Sequence, residues 1–267
     1  MVGNLLLRGM LVGLVAGLVC FFFLRVAGEP SVDRAVAFEE AAGPADAHEH
    51  GAMPATAAEA AAAPAGHHHG DEEARVSRPT QAGIGLLTAV AVFGTALGGL
   101  FSLVFAFVYG RWGGLGPRGT AALVAAFGFV ALYLVPFLKY PPNPPAVGSA
   151  ETIGMRTGLY VAMLALSLAG MLAALVLRGR LATRLGRWNA SLTAGAAYVA
   201  GMLVVSLLLP GVQKMPEAFP ATTLWSFRMA SLGGQAILWA VIGIGFGLVS
   251  HRVATRAPGA RLDMAVV

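Results

Sequence analysis

Apolar residues in this chain gather into six long stretches, 5–24, 82–109, 119–138, 158–177, 190–209 and 229–249, and the polar and charged residues fall between them. A helix rises about 1.5 Å per residue, so roughly 20 apolar residues cross a hydrocarbon core of about 30 Å. Each stretch is therefore predicted to be a transmembrane helix. The second is longer than the core requires and must tilt or extend beyond it. From the second to the sixth, none contains Asp, Glu, Lys or Arg. The expected fold is an all-α polytopic bundle of about six transmembrane helices. Its parts are a first helix at 1–27, a loop at 28–79, a five-helix membrane bundle at 80–253 and a tail at 254–267.

Arginine divides the two sides. With six spans, both termini share a side with the segments 110–118 and 178–189, and that side holds ten of the 18 basic residues. Arg178, Arg180, Arg184 and Arg187 lie within one short connection. By the positive-inside rule this is the cytoplasmic side. The basic balance, a net charge of +5, thus expresses topology and attraction to anionic headgroups. It does not point to nucleic acid. The first stretch reads as a retained helix, since it is as long as a full span and Pro30 follows it closely. The single cysteine, Cys20, excludes a disulfide framework and a paired-cysteine metal site.

Pattern also hints at repetition. An arginine precedes each even-numbered span, Arg78, Arg156 and Arg228, and each loop on the outer side carries prolines. Three hairpins repeated in parallel would give this spacing. Small residues recur every fourth position at Gly9, Gly13 and Gly17, at Gly94 and Gly98, and at Gly243 and Gly247. In lipid such rows let helix backbones approach closely. Met163, Met171 and Met202 read as packing rather than as soft ligands.

Five of the six histidines lie in the first outer loop, at His48, His50, His67, His68 and His69, followed by Asp71, Glu72 and Glu73. Imidazole and carboxylate together suit divalent Co, Ni and Zn. The surrounding residues 41–74 are rich in Ala, Pro, Gly and acidic residues, a composition expected to be disordered. Such a tract collects metal without fixing a geometry. Ahead of it, Glu29 and Asp33 stand four apart, with Glu39 and Glu40 beyond, so one helical face can present several carboxylates. On the other outer loops, Lys139, Asn143, Arg156, Arg228 and Gln235 are the candidate path or gate residues. The prolines at 141, 142, 144 and 145 stiffen the segment around Asn143. We expect these loops to pack together over the bundle, with Glu29 or Asp33 reaching Arg156 or Arg228.

Three segments, "EPSVDRAVAFEE", "FLKYPPNPPAVG" and "FPATTLWSFRMASLGGQ", together resemble the CbtA-type subunit of cobalt transporters. The resemblance implies a multi-pass inner-membrane protein for cobalt uptake, tied to cobalamin supply. It also implies a small CbtB-type partner with one membrane helix and a His-bearing tail. No bound cofactor is expected, only cobalt as cargo. The chain has no phosphate-binding loop for ATP and no carboxylate inside the second to sixth spans, where proton coupling would need one. Lys139, Glu151, Glu217 and Arg228 form no catalytic spacing, so an enzyme is not expected. A metal-binding or scaffold subunit that forms no pathway is the alternative.

Overall fold

The computed structural model describes residues 2–42, 77–111, 114–148, 152–211 and 215–256. Helices account for nearly all of them, and there is no strand among the described residues. In chain order these are α1 (Val2–Ala27), α2 (Glu29–Ala42), α3 (Arg78–Val108), α4 (Pro117–Lys139), a 56-residue helical run (Ile153–Leu208) and a last helix (Ala221–Arg256).

The 56-residue run, if straight, would be far longer than one bilayer crossing needs. It is not straight. Gly186 has φ 75° and ψ 162°, a conformation that ends one helix and starts another. Ser167 meets Tyr198 across a 2.8 Å hydroxyl contact, Gly170 faces Met202, and the Arg178 Nε donates to Ser191 Oγ at 2.9 Å. Pairs converging on one turn describe an antiparallel hairpin. We call its arms α5 (153–185) and α6 (187–208), and the last helix α7 (Ala221–Arg256). The described residues therefore form six membrane-length helices, as the apolar pattern predicts, with α2 as an additional surface helix.

Glycine sets the packing. A side-chain carbon at Gly9, Gly13 or Gly17 would fall on the carbonyl oxygen of Gly98, Gly94 or Val90 respectively. Helices α1 and α3 thus meet backbone to backbone in antiparallel register. Between α4 and α7 the same logic is milder. Gly243 faces Ala125, Gly247 faces Arg118 and Ala121, and the Trp239 ring lies over Gly128. Phe101, Phe105 and Phe246 fill the centre with edge-on ring contacts of 5.0 and 5.4 Å, a geometry that the ring quadrupoles favour. The packed pairs are thus α1 with α3, α4 with α7, and α5 with α6, with α1 also against α7. The arginine pattern's three-hairpin repeat is accordingly not a repeat of packing partners, because α7 turns back onto α4 and α1 rather than onto α6.

Outside these contacts the helices are apolar. Phe22, Val92, Phe107, Leu203, Leu207 and Leu208 are all more than half exposed. Apolar side chains exposed in this way are stable only against lipid, and the backbone bonds within the helices satisfy what lipid cannot. Trp188 and Trp225, on opposite ends of the bundle, are exposed, where interfacial anchors sit. The chain is a multi-pass membrane protein.

Candidate functional site

Everything chemically unusual among the described residues lies at one end of the bundle, where α2 sits. Gly28 and Pro30 end α1 and start α2, because proline supplies no amide for a continuing helix. Ser31 closes the corner by donating to the Gly28 carbonyl at 2.6 Å. From there α2 lies over the neighbouring loops. Ala35 and Phe38 pack against Val147, Phe219 and Leu224, with the Phe38 and Phe219 rings 5.1 Å apart. The three segments that the sequence groups on one side therefore pack into one layer, as the sequence leads one to expect.

The carboxylates do not meet the arginines named for them. Glu29 and Asp33, one turn apart, both bind Arg78 at the start of α3. The Arg78 Nη2 lies 2.5 Å from Glu29 Oε2 and 2.9 Å from Asp33 Oδ1, and its Nε donates to Asp33 Oδ1 at 3.1 Å. Glu29 is nearly buried and Asp33 is more than half exposed, so the clamp has an inner and an outer carboxylate. Pairing with Arg156 or Arg228 is replaced because α1 and α3 are locked together by their glycines, which brings the two helix ends side by side. Glu39 and Glu40 lie farther along α2 and are exposed. No three His, Cys, Asp or Glu come together among the described residues. His48, His50, His67, His68 and His69 lie outside those residues.

Arg156 and Arg228 instead hold the proline-rich loop. The Arg228 Nη2 donates to Asn143 Oδ1 at 3.0 Å and its Nε to the Pro142 carbonyl at 3.4 Å. Arg156 Nη1 reaches the Val147 carbonyl at 3.5 Å. Its guanidinium lies so close to Gly148, where φ is 106°, that no side chain fits there. Glycine alone accepts both that backbone and that neighbour. Tyr140, just past α4, donates to the Pro210 carbonyl at 2.8 Å. Burial raises the pKa of this phenol, which keeps it a donor. Lys139 stands over the Tyr140 ring at 5.7 Å, within reach of a cation–π attraction. Each of the three arginines that precede an even-numbered span thus ties down a different part of the same layer.

Beneath the proline loop is a cavity of about 660 Å³ between α1, α3, α4, α5 and α7. Asn143, Arg156 and Gln235 line it, whereas Lys139 and Arg228 do not. Sequence reasoning missed Cys20, Tyr133 and Tyr160 on its wall. Tyr133 carries a detectable signal. Proline at 136 cannot donate to the carbonyl four residues earlier. Helix α4 rewinds there into a π-helical turn over Val130–Leu134, a distortion frequent at functional sites. Arg156 is the one charged side chain among the described lining residues. That wall offers amide, hydroxyl and thiol groups, and it repels a bare cation at its arginine.

No curated protein and no solved structure matches the chain. A family model described as "Probable cobalt transporter subunit (CbtA)" matches residues 2–251, a span that takes in the clamp, the proline loop, the cavity and all six membrane helices. The chain belongs to the CbtA family of probable cobalt transporter subunits.

Proposed function

We propose that this chain admits cobalt from the outer face of the cytoplasmic membrane, with the α2 end outside and both termini in the cytoplasm. The observation that carries the reading is the clamp of Glu29 and Asp33 on Arg78. Two carboxylates against one guanidinium leave a net negative charge at the loop-bearing end of the bundle. A divalent cation offers those carboxylates more charge in less space than a guanidinium does. Asp33, the exposed member, meets the cation first, and Glu29 receives it as Arg78 swings away. Asn143 and Gln235 then provide uncharged oxygens in the cavity. Arginine density on the opposite side supports the orientation.

His48, His50, His67, His68 and His69, with Glu39 and Glu40, act as an accessory collector that raises the local metal concentration. A CbtB-type partner bearing histidines supplies or receives the metal beside them. The chain is not an enzyme, and it needs no bound cofactor. The test is cobalt uptake by Glu29→Gln and Asp33→Asn in cells, with expression and insertion checked separately. Impaired uptake with intact insertion is expected. Unchanged concentration dependence in both variants would make the layer a structural cap.

A further inference from the structure

The same cavity holds two donors that the protein leaves unused. Arg156 Nε and Tyr133 Oη are both buried, both side chains line the cavity, and neither atom finds an acceptor among the described residues. Buried polar groups are almost always paired, so two such donors lining one cavity call for an acceptor within it. The third interaction at this wall, from Arg156 Nη1 to the Val147 carbonyl, is long at 3.5 Å, beyond the usual range for such a bond. The guanidinium lies directly against Gly148. A guanidinium and a phenol lining the same cavity, with no carboxylate among the described lining residues, are complementary to an oxyanion.

The cavity's flank identifies the source of that oxyanion. Phe93 on α3 and Ile153 on α5 both line the cavity, and both are about half exposed. Helices α3 and α5 are not among the packed pairs. We infer that a slot between these two helices opens sideways into the bilayer and, with the cavity, binds one anionic phospholipid, its phosphate on Arg156 and Tyr133 and its acyl chains along Phe93, deeper in the membrane. The assignment concerns a different charge from the carboxylate clamp and does not depend on it. Phosphate at this position also cancels the positive charge on the cavity wall.

Native mass spectrometry of the purified full chain in detergent tests this with phosphatidylglycerol, phosphatidylcholine and glycerol phosphate as probes. The wild type should retain phosphatidylglycerol at least ten-fold more tightly than Arg156→Gln does. Tyr133→Phe removes a hydroxyl that has no partner among the described residues, so it should leave folding intact and weaken retention about three-fold. Arg184→Gln, on the opposite side of the bundle, serves as the control for ordinary surface attraction and should bind as the wild type does. Wild-type retention by Tyr133→Phe, or by a folded Arg156→Gln, overturns the inference. If Arg156→Gln fails to fold, Tyr133→Phe decides alone. Glycerol phosphate binding as tightly as the lipid would assign the site to a free anion and overturn the lipid reading.

Discussion

Replacing Gly13 with leucine should separate α1 from α3, and the cost follows from the geometry. A Cβ at position 13 falls on the Gly94 carbonyl oxygen and only 2.9 Å from the Gly94 carbonyl carbon and from Gly98 Cα. An ordinary carbon–oxygen contact needs about 3.3–3.6 Å, so even alanine drives the axes apart by on the order of 1 Å. A gap of about 0.5–1 Å forfeits roughly a quarter to a half of each dispersion contact along the seam. The rungs at Gly9 and Gly17 share the same two axes and loosen with it. Overpacking alone costs about 1–3 kcal/mol, and each backbone contact of carbonyl oxygen on glycine Cα–H adds about 0.5–1 kcal/mol. Over the three rungs the sum is about 2.5–6 kcal/mol for alanine, and leucine exceeds it. Gly195→Leu is the control, because nothing lies within 4 Å of a Cβ there. That variant gains about 0.8 kcal/mol of helix propensity and should unfold no earlier than the wild type. The assay is reversible unfolding in detergent micelles or bilayers, with both variants measured beside the wild type. Equal stability of Gly13→Leu and Gly195→Leu would refute the backbone-to-backbone seam.

The clamp should rank its own variants. Arg78→Gln leaves Glu29, nearly buried, without a partner and should cost about 3 kcal/mol. Glu29→Gln loses one charge-assisted bond, about 1.5–3 kcal/mol, and Asp33→Asn, at an exposed position, no more than about 1 kcal/mol. Chemical denaturation in detergent reads the order, and an Asp33→Asn as costly as Arg78→Gln would contradict it. Deleting 45–73 should weaken cobalt uptake at scarce metal and leave it near normal at abundant metal. Complete loss at every concentration would place the histidines in the site itself. For topology, Ala58→Cys in a Cys20→Ala background should react with an impermeant thiol reagent in intact cells, and Ala182→Cys only after lysis. The reverse pattern would invert the orientation.

Much of the membrane fold was legible because lipid imposes a simple rule, one apolar helix for each crossing. All six stretches are helices, and the rows at Gly9 to Gly17 and at Gly94 and Gly98 are packing seams. The hairpin turn at Gly186 was legible only as a charged gap between two apolar runs. Partner choice was not legible. The pattern placed three arginines alike, but which of them reaches the acids depends on the α1–α3 register, a tertiary result. Thus Arg78, not Arg156 or Arg228, holds Glu29 and Asp33. The cavity was hidden for a similar reason. Its wall draws Cys20, Tyr133, Asn143, Arg156 and Gln235 from four helices and a loop, and no local spacing connects them. Pro136, read alone, ends or kinks a helix. The π turn it provokes appears only with the backbone traced.

Cobalt entry into liposomes containing this chain alone tests the central claim most directly. The account predicts a saturable influx that exceeds protein-free vesicles, falls in Glu29→Gln and Asp33→Asn, and is restored by neither raised salt nor added lipid. Cobalt binding without influx in the wild type, under conditions where the protein is folded and inserted, would contradict it and make the chain a binding scaffold for a pathway built elsewhere.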